Sequence, residues 1–268
     1  MSNNYITSMS NNYITSKRFN NHNLSFGFFT RQGGSSLKNL SSLNCSYNNG
    51  DHEIFVKDNI MQAQKELFLD KKKIKFLNQI HSNKTIIINQ NNYSDRFEAD
   101  GMITQDKNIC IAILTADCCP IFLFDDENSF ISCLHAGWKG VYYNIIKNAL
   151  DQIIKIQPNL NKVRAIIGPC LNVDNFEISE DFKEKFIKVN PNYKNYFIQN
   201  LETNKKFFNM RSLIKLQLME NEVKNIDNIN IDTYDNESLF YSHRRSTHLN
   251  QLPTGRMINI IGFNTKTI

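Results

Sequence analysis

The sequence predicts an α+β fold built as a single domain, and three observations carry that prediction. Strand-like and helix-like stretches are mixed without the strict strand–helix–strand rhythm of a doubly wound sheet. No linker-like stretch separates two halves. At 268 residues and 41% hydrophobic composition, the chain is long enough to bury one large core.

Taken in order, residues 1–23 stand apart. Met1–Ser8 and Met9–Ser16 both read MSNNYITS. One tandem copy is too little for a stacked-repeat array, and this polar, Asn-rich segment is expected to be poorly ordered. The domain is placed at 24–268. Phe26–Thr30 reads as a strand and Arg31–Ser35 as a glycine turn. Asp51–Leu67 carries a helical apolar stripe, with Asp51 as its expected cap. Ile74–Ile80 and Lys84–Ile88 are strand-like, and His81 falls at the break between them. Ile109–Thr115 and Ile121–Phe124 are strands around the turn Asp117-Cys118-Cys119-Pro120, which Pro120 stiffens.

Phe130–His135 is a further strand, whose period of two puts Ile131, Cys133 and His135 on one face. From Gly137 and Gly140 a helix is expected to run to about Ile156, with Tyr142, Ile146, Ala149 and Ile153 along one stripe and Pro158 beyond it. Val163–Ile167 is a buried strand. Phe182–Val189 and Met210–Val223 read as helices, and Ile229–Tyr234 and Met257–Phe263 as closing strands.

Composition narrows the function classes. Net charge is +5, and the tight basic clusters are Lys71-Lys72-Lys73 and Arg244-Arg245. The lysine triplet reads as a solvated turn, because nucleic-acid binders show a broad basic face with aromatic interleaving. The six cysteines follow no disulfide-scaffold spacing. The polar N-terminus carries no signal-peptide pattern. The longest apolar run, Ile109–Ala116, falls short of the roughly 20 residues of a membrane span. A reducing cytoplasm, with no membrane and no nucleic-acid partner, is the expected setting.

Three phrases each hold one metal-capable side chain: Gln79-Ile80-His81-Ser82, Thr115-Ala116-Asp117-Cys118, and Leu134-His135-Ala136-Gly137-Trp138. Two imidazoles and a thiolate form an incomplete tetrahedral set, the pattern that leaves a zinc position open for water or substrate. Soft sulfur disfavours magnesium and calcium. Asp117 could orient a ligand or relay a proton. Spacing alone also allows a surface histidine and an ordinary core thiol. A second cluster, Phe240-Tyr241-Ser242-His243-Arg244-Arg245 followed by Thr254-Gly255-Arg256, offers guanidinium groups for phosphate or carboxylate, or for internal salt bridges or helix C-terminus contacts. Thr30-Arg31-Gln32-Gly33-Gly34 has a similar make-up but lacks the lysine and hydroxyl of a phosphate loop.

Together these phrases resemble the YfiH-type laccase-domain family, also called polyphenol oxidase or purine nucleoside phosphorylase YfiH-like proteins. Further matching stretches are Ser42-Leu43-Asn44, Gly50-Asp51, Ala99-Asp100-Gly101-Met102 and Ile167-Gly168-Pro169-Cys170. The resemblance implies mixed sheets packed between helices, distantly similar to the catalytic domain of cytotoxic necrotizing factors. It implies zinc held by His81, Cys118 and His135. It also implies phosphorolysis of adenosine, inosine, guanosine and methylthioadenosine with inorganic phosphate, plus deamination of adenosine. For that chemistry Asp117 is assigned proton transfer, Arg245 and Arg31 the phosphate, and Asn44 and Gln79 ribose or base contacts. Two departures from the family pattern are Asn209-Met210 with Ile214-Lys215, where Gln217 is kept, and Asp232 in place of a cysteine before Thr233.

Three rival readings remain. The family's older name suggests a copper phenol oxidase, but such enzymes need several His-rich clusters, and this chain has six histidines and no His-X-His pair. A cysteine hydrolase would use Cys118 as nucleophile and His135 as base. A binding scaffold would hold a closed structural metal, with Cys133 as fourth ligand.

Overall fold

Three long apolar strands at the centre of the chain set the architecture, because each is buried on both faces and so must lie between two layers. The computed structural model describes residues 5–7, 12–19 and 23–264. Along the chain come strands β1 (Tyr5–Thr7), β2 (Tyr13–Ser16) and β3 (Leu24–Phe29), then helix α1 (Glu53–Glu66). They are followed by β4 (Lys73–Lys75), β5 (Thr85–Ile88), β6 (Gly101–Thr104), β7 (Ile109–Thr115), β8 (Cys119–Asp125) and β9 (Ile131–Ala136). Then come α2 (Trp138–Tyr142), α3 (Ile145–Ile153), β10 (Val163–Ile167), β11 (Glu177–Ile178), α4 (Glu180–Val189) and β12 (Phe197–Gln199). The last elements are β13 (Lys206–Phe208), α5 (Met210–Glu220), β14 (Asn225–Asn228), α6 (His243–His248) and β15 (Met257–Phe263).

Two mixed six-stranded sheets dominate. The first has the order β1-β2-β3-β15-β7-β4 and the second β14-β10-β8-β9-β6-β5; a small third sheet is β11-β13-β12. The period of two sorts side chains between layers. Ile109, Ile111 and Ile113 of β7 face Phe122, Phe124, Ile131 and Cys133 of β8 and β9 in a core between the two large sheets. The intervening Cys110 and Ala112 turn outward to Val56, Ile60 and Ala63 of α1. On the far side, Ile121, Leu123 and Leu134 meet α3 and α5 through Ile146, Leu150, Leu213 and Ile214. The result is helix, sheet, sheet, helix: one α/β domain of mixed sheets layered with helices, as the sequence implied.

Several elements differ from expectation. The helix expected from Gly137 to Ile156 is two helices, because Asn144 adopts a left-handed φ of 57° and caps α3 by accepting from Lys147 N at 3.0 Å. Asp51 does not cap α1: His52 is the cap residue, and Asp51 Oδ2 accepts from Asn44 instead, at 2.8 Å. Ile229–Tyr234 is no strand; β14 lies earlier, and only the isolated bridge Cys170–Asp232 continues the pairing.

Of the segment expected to be poorly ordered, residues 1–4, 8–11 and 20–22 lie outside the described residues. The described part differs from that expectation. The YIT triplets of the two octapeptides pair antiparallel as β1 and β2, and β2 joins β3 with Ile14 buried. An alternating Tyr-Ile-Thr-Ser stretch fits a half-buried strand better than a tail. No helix among the described residues is long and apolar enough to cross a membrane.

Candidate metal centre

The three metal-capable residues converge. Ligand atoms of His81, Cys118 and His135 all lie within 4.8 Å of one another, and among the described residues no fourth such donor joins the group. The imidazole rings are 4.9 Å apart and nearly perpendicular, at 76°. His135 is the penultimate residue of β9, and the period of two puts it on the same face as Ile131 and Cys133 of the inter-sheet core. His81 sits in the loop between β4 and β5, and Cys118 in the turn joining β7 to β8.

Two left-handed residues shape these loops: His81 with φ 58° and Asp117 with φ 85°. Each conformation costs about 1–2 kcal/mol in a residue bearing a Cβ, so something must hold it. For His81 the holder is Asp100, fully buried. Its carboxylate accepts from His81 N at 3.0 Å, Ser82 N at 2.6 Å and Ser82 Oγ at 2.8 Å. The same carboxylate lies 2.8 Å from His135 Nδ1, and Asp100 O accepts from His135 N at 2.7 Å. One aspartate therefore fixes the backbone of one ligand and the ring of the other. With Nδ1 engaged, His135 presents Nε2 to a metal, the arrangement that outer carboxylates impose on metal-binding imidazoles.

Asp117, expected to orient a ligand or carry a proton, does another job. Its Oδ1 accepts from Thr233 Oγ1 at 2.7 Å and its Oδ2 from Arg244 N at 2.6 Å, while its carbonyl accepts from Leu171 N at 3.0 Å. These bonds stake the Cys118 turn to three other segments. Asp100 takes the orienting part assigned to Asp117. Local sequence gave no signal for it beyond the Ala99-Asp100-Gly101 phrase, since its partners lie on a distant loop and a distant strand.

Charge is concentrated here. Burial pushes the Cys118 thiol up, but the charge of His135 and hydrogen bonds from both histidines outweigh it and bring the pKa to about 6. Burial lowers His135, yet Cys118 and Asp100 together raise it to about 9. Desolvation opposes the Asp100 carboxylate, but bonds from His135 and Ser82 hold it below its usual range. A thiolate beside two imidazoles, with one side open, fits a borderline cation such as Zn²⁺.

Gly137 leaves room for this cluster. A Cβ there would come within 3.0 Å of Cys118 Sγ and 3.1 Å of the His81 ring. Gly137→Ala is expected to push two ligands apart and weaken zinc binding about tenfold while leaving the fold intact. Zinc competition with a chelator, alongside unchanged far-UV circular dichroism, checks this.

The centre opens into a cleft of about 1350 Å³, whose walls include Gln79, Trp138, Phe176, His243, Arg244 and Arg256. Other assigned residues are placed differently. Arg245 is buried, and its guanidinium donates to the carbonyls of Thr233, Tyr234 and Phe240 at 2.6–2.9 Å. Arg31 donates to Ser41 O and Glu237 O and lies over the Tyr241 ring. Asn44 is fully buried and accepts from Arg256 N. None of these three lines the cleft. Gln79 does, but its amide pairs with both Leu114 N and Leu114 O at 2.8 Å, splicing the His81 loop to β7.

Arg245→Ala is accordingly expected to cost about 3 kcal/mol or more of stability, because three carbonyls lose their donor. Urea unfolding measures it, and a variant as stable as the parent would refute the clamp. The family-pattern departures are also absorbed locally. Asn209 caps α5 through Ser212 N, Gln217 donates to Val141 O, and Asp232 accepts from Asn172 N, Asn175 Nδ2 and Tyr234 N.

Fold and centre together define a class: α/β proteins in which a two-histidine, one-cysteine centre opens into a cleft at the edge of two stacked sheets. Residues 25–264 match the family model described as multi-copper polyphenol oxidoreductase laccase, and the chain belongs to that family. A purine nucleoside phosphorylase of Rickettsia prowazekii is 36% identical over 186 residues, covering 69% of this chain and 75% of that protein. The purine nucleoside phosphorylase YlmD of Bacillus subtilis is 28% identical, covering 91% and 90%. Among solved structures, YfiH of Bacillus licheniformis superposes with a TM-score of 0.87 at 25% identity, covering 98% of this chain and all of that one. The YfiH-type resemblance read from the motifs is borne out.

Proposed function

We propose that this chain is a zinc-dependent purine nucleoside enzyme, which splits purine nucleosides with inorganic phosphate and also deaminates adenosine. The observation that carries the reading is a three-donor centre, open on one side, at the wall of a cleft that also presents cationic side chains. The relatives named purine nucleoside phosphorylases supply the substrate class.

When bound, zinc supplies a Lewis acid with one position left for water or substrate. The chain's own residues do the rest. Asp100 fixes the His135 imidazole through Nδ1 and the His81 loop through its backbone N–H, so these two donors are held in place before reaction. Trp138 and Phe176 give the cleft apolar walls against which a purine can pack. His243 is kept below its usual pKa by burial, then by Arg256, so at neutral pH it offers an uncharged N–H and a lone pair to base or sugar hydroxyls.

The rival readings fit less well. Copper oxidases of the multicopper type need several clusters, and the described residues contain one such group of three donors. A closed scaffold site would need Cys133, which lies fully buried in the inter-sheet core and outside the donor group.

The decisive experiment incubates purified protein with adenosine and phosphate and resolves adenine, inosine and hypoxanthine, with elemental analysis of the same sample. Adenine reports phosphorolysis, inosine reports deamination, and about one zinc per chain is expected from the single donor set. Neither product, or copper in place of zinc, would overturn the proposal.

A further inference from the structure

The cleft presents three arginines, Arg96, Arg244 and Arg256. Arg96 is exposed on an outer loop. Arg244 donates Nη1 to Asn175 O and Glu177 O and lies 5.5 Å from the Phe176 ring centroid. Arg256 differs. It lines the same cleft as His81, Cys118 and His135 and is half-buried in its wall.

Its mounting is rigid. Arg256 N donates to Asn44 Oδ1 at 3.0 Å, and Arg256 O accepts from Cys45 N at 3.1 Å. The preceding Gly255 lies against the Tyr241 ring so closely that a Cβ would come within 2.5 Å of it. Nη1 is tied to Thr254 O and Gly255 O, both at 3.0 Å. Among the described residues, no hydrogen bond engages Nε or Nη2, and no carboxylate forms an ion pair with the group. Asp117 is engaged by Thr233 Oγ1 and Arg244 N, and among the described residues it forms no ion pair with Arg256. Cys118 is no counter-ion either once its thiolate charge is given to a cation. A half-buried guanidinium thus lines the cleft that holds the centre, with Nε and Nη2 unengaged among the described residues.

We propose that Arg256 binds the inorganic phosphate co-substrate next to the His81–Cys118–His135 centre; this rests on the nucleoside phosphorylase reading. A planar cation with two free N–H directions matches a tetrahedral dianion. In phosphorolysis a phosphate oxygen bonds to ribose C1′ while the C1′–N9 bond breaks. The electron pair leaves with N9, and the proton of hydrogen phosphate ends on the freed purine. The products are sugar 1-phosphate and base, with no other reactant. Deamination replaces the C6 amino group with oxygen from water and releases ammonia, so it makes no use of an anion site. Arg245 and Arg31 do not line the cleft, which leaves this role to Arg256.

The test uses zinc-loaded full-length protein and the variants Arg256→Gln and Arg256→Lys. With inosine as nucleoside, which isolates phosphorolysis, Arg256→Gln is expected to raise KM for phosphate about tenfold or more, with a far smaller change in KM for inosine. Arg256→Lys, which keeps a point charge but loses the fork, should fall between. With adenosine, the ratio of adenine to inosine formed should drop by a similar factor in Arg256→Gln. An unchanged phosphate KM, or equal loss of both reactions, overturns the assignment. If Arg256→Gln does not fold, judged by zinc content, Arg256→Lys carries the same readout. If the parent protein catalyses neither reaction, the functional reading fails by itself, and calorimetric titration with inorganic phosphate decides the site. Phosphate binding weakened about tenfold in the variant upholds it, and equal binding or none overturns it.

Discussion

Asp100→Asn is expected to weaken zinc binding about 10- to 100-fold, with little change in side-chain volume. The carboxylate accepts from five donors: His135 Nδ1, Ile80 N, His81 N, Ser82 N and Ser82 Oγ. An amide offers one oxygen and one NH₂, so at least one donor would face a donor. If the amide nitrogen turns to His135, the ring must present Nδ1 as acceptor and carry its proton on Nε2, the atom a metal needs. If it turns to Ser82, the left-handed turn at His81 loses its holder. Either way one ligand is lost from position. Competition with a zinc chelator measures the effect, and parental affinity in Asp100→Asn would show that the carboxylate does not position the ligands.

Removing the group altogether should be worse for the fold. Asp100→Ala leaves buried N–H donors unpaired at a cost of about 1–3 kcal/mol each. The metal-free protein should also show the matching acid dependence. The native carboxyl sits below its ordinary value of 3.8, so its stabilising contribution is present above that value and lost as pH falls through the native one. In Asp100→Asn that limb of the acid transition should be missing.

Much of the fold was legible because the central strands obey one strong rule. Ile109–Thr115 and Ile131–Ala136 alternate between two apolar layers, and continuous hydrophobic runs of that length read as buried strands. Where the period was interrupted by a single residue, the reading failed. Asn144 splits a helix whose apolar stripe continues on both sides, and a left-handed cap leaves no trace in hydropathy. The duplicated octapeptide looked like a tail because two short polar triplets bury little by themselves. They gain a place only by extending β3.

The three candidate ligands stood out by donor chemistry, since few residue types bind soft cations. It took the family resemblance to set them above a surface histidine and a core thiol. Their supports did not stand out. Asp100, Gly137 and Arg256 act through contacts between segments far apart in the chain: Asp100 bridges the His81 loop and β9, Gly137 makes room for a thiol, and Arg256 is aimed by Asn44. Arginine-rich phrases proved misleading for the converse reason. A guanidinium serves a ligand or three carbonyls equally well, and only the fold decides which of Arg244, Arg245 and Arg256 meets the cleft.

Cysteine chemistry separates a metal centre from a nucleophile. Cys118 reaches the cleft, while Cys45, Cys110, Cys119, Cys133 and Cys170 are buried. In metal-free protein at neutral pH, Cys118 is expected to react with iodoacetamide first and to take up one equivalent, because its thiol is held at about 6 whereas burial pushes Cys110 up to about 12. Zinc-loaded protein should be protected, since the sulfur lone pairs are then engaged. Cys118→Ala should lose zinc and nucleoside turnover together, and Cys118→Ser should do no better, because a hydroxyl is a poor zinc ligand at this pH. Stoichiometric alkylation of the zinc-loaded protein would instead favour a cysteine nucleophile with His135 as its base. Full adenosine phosphorolysis by metal-free Cys118→Ala would remove the metal from the reaction altogether. The two measurements are independent, one reading access to sulfur and the other turnover, so a protected thiol in an active holoenzyme and an inert alanine variant admit only a role for Cys118 as a ligand.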